Sequence, residues 1–375
     1  MATSFKFIRV LGIPIYVNYT WFIVFGLVVY NLAVLYFPYL GPYYSPSTRW
    51  IMAFIASITL FASILLHELS HSYVAQRHGI KIKSITLFIF GGIAQMVGET
   101  RSPRAEMKIA AAGPALSFLI SGIFWIITFI FMRDMAISPV LAVSQFLAYT
   151  NMILAIFNLI PGFPLDGGRI LRAIIWAKSG NLSRATLITS RIGKGFAIFL
   201  IVMGLWNILQ GVFIHGLWLI FIGIFLQQAA EEGYRQTLLH RALSSVRIRD
   251  IMVYPVMMIA DDITLERVVN DYFFRYRYNS FPVISNDNLV GIISIHDIKG
   301  IDKERWPYMT VRDVMHRNIS EFTISPDGGA LEALDRIIEG KRGRLVVVEY
   351  GKVMGIISQR DIMQMLKLKT DLGAT

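Results

Sequence analysis

The chain has 375 residues, 55% of them hydrophobic and only 16% charged, where an ordinary soluble domain carries roughly a quarter charged. It holds no cysteine, which excludes disulfides, thiolate metal sites and a cysteine nucleophile. The formal net charge of +11 lies mainly in residues 1–234, where 16 Lys+Arg face 7 Asp+Glu; residues 235–375 hold 20 against 18. The first part is dominated by long apolar runs and the second reads like a soluble α/β protein. Cations flanking apolar spans set orientation in a bilayer, so the excess does not call for a nucleic-acid partner, and none is expected.

The N-terminus, MATSFKFIRVLGIPIY, does not read as a cleaved signal: Lys6 and Arg9 precede an apolar stretch that is long and lacks a small-residue cleavage site. A helix crosses the roughly 30 Å hydrocarbon core with about 20 apolar residues. Six segments fit, near 16–38, 50–76, 108–131, 141–160, 191–210 and 213–230, the last two close enough for a tight hairpin. The connecting segments alternate in charge. Lys6 and Arg9 precede the first span, and 39–49 holds only Arg49. Segment 77–107 holds Arg77, Lys81, Lys83, Arg101 and Arg104, whereas 132–140 holds only Arg133. Arg169, Arg172, Lys178 and Arg184 follow the fourth span, and no cation lies near 211. The cation-rich side is cytoplasmic by the positive-inside rule, which puts both termini in the cytoplasm, in line with an even number of spans. Segment 81–97, KIKSITLFIFGGIAQMV, is too short to span and is rich in β-branched and aromatic residues. It reads as two short strands or a re-entrant hairpin on the cytoplasmic side.

The second span contains His67-Glu68-Leu69-Ser70-His71. Residues four apart share one helix face, so the two imidazoles can grip one Zn²⁺, with Glu68 beside them to take a proton from water. A core histidine is the plain alternative. Ionisable residues inside an apolar span are costly, however, and three within five residues do not read as packing. A catalytic zinc needs a third protein ligand and an open position. The candidate is Asp166, in Asn158-Leu-Ile-Pro161-Gly-Phe-Pro164-Leu165-Asp166-Gly167-Gly168-Arg169 at the end of the fourth span. Pro161 and Pro164 break the helix there, and Gly167 and Gly168 allow a sharp turn or a close approach. The segment would otherwise be a helix-terminating loop with a solvated Asp.

With these residues the chain resembles the site-2 protease family of intramembrane zinc metalloproteases. The resemblance covers about residues 1–230. It includes the motif within a span, Asn158 to Pro161 with Leu165-Asp166-Gly167, the Gly91-Gly92 pair, and Ala112-Gly113-Pro114 opening the third span. It implies that His67, His71 and Asp166 bind one zinc per chain, that Glu68 is the catalytic acid/base, and that Asn158 and Pro161 hold the substrate backbone. The implied substrate is a transmembrane protein cut in or near the bilayer. Segment 81–97 then either pairs with the extended substrate as an added strand or is a plain connector.

Residues 246–302 and 309–366 share one plan. Val246-Arg-Ile-Arg-Asp-Ile-Met252 recurs as Met309-Thr-Val-Arg-Asp-Val-Met315, and Gly291-Ile-Ile-Ser294-Ile-His-Asp297 as Gly355-Ile-Ile-Ser358-Gln-Arg-Asp361. Two copies of one unit packing together are expected. They resemble a tandem pair of CBS (cystathionine β-synthase) domains. That resemblance implies an adenine-nucleotide site between the repeats, with Ser294, Asp297, Ser358 and Asp361 at the matching positions, the Asp on ribose hydroxyls and the Ser on a phosphate. Empty clefts and a pair that only forms homodimers are the alternative. The expected protein is thus an α-helical polytopic membrane domain (1–232) followed by an α/β CBS pair (246–302 and 309–366). It would be a multi-pass membrane endopeptidase with the pair in the cytoplasm. The rival reading is a transporter or channel gated by CBS domains, which has no need of the His67, His71 and Asp166 set.

Overall fold

The computed structural model describes residues 4–40, 44–89, 91–97, 100, 102–132, 138–244, 246–286, 288–340 and 343–371. Arg101 and Arg133, counted in the charge pattern, lie outside them. The chain forms two compact units, Met1–Tyr234 and Arg235–Thr375.

Among the described residues, six helices are long and apolar enough to cross a membrane. They are α1 (Tyr19–Leu40), α2 (Pro46–Arg77), α3 (Pro103–Phe131), α4 (Pro139–Asn158), α6 (Leu182–Leu209) and α7 (Phe213–Ser244). Their starts follow from local chemistry. Ser45, Ser102 and Ser138 each precede a proline at the first helical turn, and each hydroxyl accepts a backbone N–H of that turn. A missing proline N–H removes nothing there, because the first N–H groups of a helix have no partner within it. Asn18 and Asn181 cap α1 and α6 in the same way.

The helices α2, α3 and α4 meet through many small and hydroxyl-bearing residues, beside a few large apolar ones such as Ile109 and Leu147. Ala110, Gly113, Ser117 and Ser121 of α3 and Ala148, Asn151 and Ala155 of α4 are buried. Ser121 donates to the Ala148 carbonyl at 2.8 Å, and Thr128 bonds Ser144 at 3.1 Å. This is how spans associate where lipid offers no hydrophobic drive: close backbones and interhelical hydrogen bonds. The α6–α7 pair is the tight hairpin expected from sequence, closed at Gly211 with φ +83°.

Two features depart from the sequence reading. The N-terminal residues form a hairpin, β1 (Ser4–Val10) with β2 (Ile13–Asn18). Strand β2 runs parallel to β3 (Lys81–Phe88), which pairs antiparallel with β4 (Gly91–Val97), giving one sheet in the order β1-β2-β3-β4. Segment 81–97 is therefore two strands, with β4 at the sheet edge. The segment after residue 160, where the prolines end the fourth span and no further helix is expected, leads directly into helix α5 (Asp166–Ser179). Gly167 and Gly168 make no turn. A Cβ on either would strike the backbone of Leu159 or Gly162, so they serve close approach.

The second unit holds two sheets of one pattern, β5 (Ile259–Ala260), β6 (Ser280–Ser285) and β7 (Asn288–Ser294), then β8 (Thr323–Ile324), β9 (Arg344–Glu349) and β10 (Lys352–Ser358). In each, the first strand is parallel to the second and the third antiparallel. The repeats exchange their leading segments. Val246, Ile248 and Ile251 pack with Ile324, Leu345, Val347 and Ile357 of the second repeat. Val311 and Met315 pack with Ile259, Val283 and Ile293 of the first. Gly291 and Gly355 admit the intruding Met315 and Met252, whose Sδ atoms would lie 2.9 and 2.8 Å from an added Cβ.

Each repeat's core is thus closed by the other's leader. Ile248→Asp places a charge in a fully buried site of the second repeat, a loss of several kcal/mol. Hydrogen exchange should show protection lost in β8–β10 ahead of β5–β7. Loss confined to β5–β7 would contradict the exchange.

Candidate metal centre

His67 and His71 lie one turn apart on α2, and both are buried. Their Nδ1 atoms are held by α3: His71 Nδ1 lies 2.6 Å from the Ile109 carbonyl and His67 Nδ1 2.9 Å from Ser117 Oγ. A carbonyl only accepts, so the His71 proton is on Nδ1 and its Nε2 lone pair is free for a metal. Ser117 can accept from His67 in the same sense, since a hydroxyl serves either tautomer, and it does so when His67 Nε2 faces a metal. The hydrogen bonds behind the rings fix tautomer and orientation, as outer partners of metal ligands do.

The two Nε2 atoms are 3.2 Å apart, and the buried Asp166 Oδ2 lies 3.2 Å from His67 Nε2 and 3.1 Å from His71 Nε2. Three donor atoms converge in a near-equilateral triangle. A tetrahedral Zn²⁺ with ligands at about 2.0–2.1 Å spaces them roughly 3.3 Å apart, so this set fits the ion. Gly113 of α3 makes room for it. A Cβ there would stand against the Nε2 atoms of both histidines, filling the space where their lone pairs converge. The Ala-Gly-Pro motif noted in the sequence thereby acquires a steric reason.

Glu68 lies beside the triangle and shares a cavity of about 620 Å³ with it. Strand β4 passes so close that a Cβ on Gly92 would fall 2.5 Å from Glu68 Cγ. Asn158 lines the same cavity, and so do Gly91, Ile93 and Trp218. Pro161 is not among the lining residues and is exposed. Sequence reasoning missed Pro164 and Arg169, both of which line it. Arg169 is three residues from Asp166, a spacing that shares a helix face, so reading 166–179 as a helix would have found it.

In the second unit, a cavity of about 710 Å³ is bordered by Arg277, Tyr278, Arg344, Ser358, Arg360 and Asp361. The Arg344 guanidinium stacks 5.0 Å over the Tyr278 ring. Burial pushes Arg344 down from its ordinary value, opposed by Tyr278 and Asp361, and a guanidinium remains charged in proteins. Ser294 and Asp297 hold the equivalent place in the first repeat and do not border this cavity. In both repeats the Asp caps the following helix: Ser294 N and Oγ donate to Asp297 Oδ2 at 2.8 and 2.7 Å, Ser358 N and Oγ to Asp361 Oδ2 at 2.9 and 2.6 Å.

Residues 55–133 and 129–202 match peptidase family M50, and 248–303 and 311–368 match the CBS domain. A zinc metalloprotease of Methanocaldococcus jannaschii is 34% identical over 380 residues, covering 99% of each chain. A Synechocystis relative, provisionally named a zinc metalloprotease, is 35% identical over 361 residues, covering 95% of this chain and 93% of its own. Among solved structures, a site-2 protease from Methanocaldococcus jannaschii is 33% identical, covers 61% of this chain and 94% of its own, and superposes with a TM-score of 0.42.

Gly113→Ala tests the fit directly. The methyl group enters the converging lone pairs, so metal content of the purified protein should fall well below that of the parent. Ala at this position with full metal content would contradict the placement.

Proposed function

The chain belongs to the zinc metalloproteases of peptidase family M50, the site-2 protease family, with a tandem CBS pair, and from that membership we propose that it hydrolyses peptide bonds in or near transmembrane segments of membrane-protein substrates. The observation that carries the reading is the His67–His71–Asp166 triangle seated over Gly113, with Glu68 in the same cavity. Two imidazoles and a carboxylate are a donor set suited to Zn²⁺. Zinc in such a site supplies Lewis acidity, which makes water acidic near neutral pH and polarises a peptide carbonyl.

The chain's own groups do the rest. Glu68 takes the proton of the attacking water as the C–O bond forms, then delivers it to the peptide nitrogen as the C–N bond breaks. The Ile109 carbonyl holds His71 in its donor tautomer, and Ser117 holds the His67 ring in orientation. Asn158, on the cavity wall, is suited to bond the substrate backbone. The edge position of β4, alongside Glu68, supports pairing with an unwound substrate segment as an added strand. Ile93, Phe88 and Trp218 give such a segment apolar neighbours. Substrate side chains from a transmembrane helix suit them.

The cation-rich connections support cytoplasmic termini and a cytoplasmic CBS pair. For that pair we place an adenine nucleotide at the cavity bordered by Ser358 and Asp361, where three arginines suit phosphates and Tyr278 suits a base. A ligand there changes proteolysis only through a difference in its affinity for two states of the enzyme.

Glu68→Gln should retain metal, since Glu68 is not a ligand, and should lower the cleavage rate by about 10² to 10⁴. A rate near the parent's would exclude Glu68 as the base. For the pair, calorimetry with ATP, ADP and AMP should detect binding that Asp361→Ala removes without altering metal content. Binding of none of the three would leave dimerisation as the role of the pair.

A further inference from the structure

Glu106, one turn into α3, is fully buried, and its charge has no part in the chemistry above. Arg172 of α5 donates to its Oε1 from Nε at 2.7 Å and also from Nη2. The Arg172 side chain is itself only 14% exposed. Glu106 Oε2 has no hydrogen-bond partner among the described residues. A buried carboxylate engaged through one oxygen is an expensive way to join two helices if packing is all that is needed, since apolar residues of similar volume do that as well or better.

The location of the pair gives it a different use. On α3, Glu106 stands one turn before Ile109, whose carbonyl holds His71, and two turns before Gly113, beneath both imidazoles. On α5, Arg172 stands less than two turns after Asp166, the third donor. The Arg172 guanidinium also lies 5.3 Å over the ring of Phe163, in the loop that leads into Asp166. That loop is pinned by Phe163 N donating to the Thr189 carbonyl at 3.1 Å. One ion pair therefore locks the helix that orients the imidazoles to the helix and loop that deliver the carboxylate. No direct hydrogen bond to the three donors is involved, so the pair acts through the helices.

We propose that Glu106 and Arg172 are positioning residues for the metal centre, holding Asp166 in register with His67 and His71. The inference rests on the metal reading of that triad. Its energetic logic is that of an outer partner: disturbing such groups typically lowers metal affinity about 10- to 100-fold. The pair is also directional, because a guanidinium fork fixes orientation where an ammonium gives only a point charge.

The test is the rate at which zinc passes from the purified full-length protein to a chelating dye, measured beside thermal stability and steady-state kinetics. Glu106→Gln, Arg172→Lys and the double variant Glu106→Gln/Arg172→Gln are compared with the parent. The double variant leaves no buried charge unpaired, so it keeps the fold if either single change costs it. We expect zinc release at least about 10-fold faster in Glu106→Gln and in the double variant, with kcat reduced and KM little changed. Arg172→Lys, which keeps the charge, should fall between them and the parent. Zinc release in the double variant equal to the parent's, with only thermal stability altered in the singles, would overturn the proposal and leave a structural ion pair. Asp166→Ala, run in parallel, separates the two readings: if it too releases zinc at the parental rate, the triad assignment itself fails.

Discussion

Two imidazoles and a carboxylate converge within 3.2 Å inside a bundle of apolar helices, and the rest of the membrane unit answers to that constraint. Polar groups at membrane depth are costly unless each is satisfied. Ile109 and Ser117 satisfy the rings from behind. Gly113 keeps α3 close enough for them to reach without filling the space in front. Helix α3 in turn needs small residues along its length so that α2 and α4 can approach. The sheet serves the same site from another side, since β4 reaches Glu68 only because Gly92 carries no side chain.

What the sequence made legible was local or strongly patterned. The spans announce themselves by hydropathy. The two histidines announce a shared ligand by their spacing of four. Helix α5 was not legible, because Pro161, Pro164, Gly167 and Gly168 read as breakers. The prolines precede the helix, and the glycines answer to neighbouring backbone rather than to φ. Missing that helix hid Arg169, which shares the face of Asp166. The N-terminal hairpin is local, Val10 pairing with Ile13 across Leu11 and Gly12, but its apolar residues run into the first span and read as part of it; the pairing of β2 with β3, some seventy residues away, has no local pattern at all. Glu106 and Arg172, 66 residues apart, are silent in sequence for the same cause.

In the second unit the repeat was plain, but its exchange of leaders was not, since both arrangements bury the same residues. At the doubled Ser and Asp positions, the Asp caps a helix in both copies. The copies differ around those caps. The cavity at Ser358 and Asp361 is bordered by Arg344 and Arg360, where the first repeat has Ser280 and His296. Two arginines in place of a serine and a histidine give one cleft a positive charge that the repeat pattern alone does not predict.

Zinc stoichiometry and X-ray absorption at the zinc edge, on the parent and on Asp166→Ala, test the central claim most directly. The account predicts one zinc per parent chain, bound by two imidazole nitrogens and oxygen donors at about 2.0–2.1 Å, and a variant that has lost its zinc or one oxygen donor. A variant with full zinc and an unchanged spectrum would contradict it, because the third ligand would then lie elsewhere.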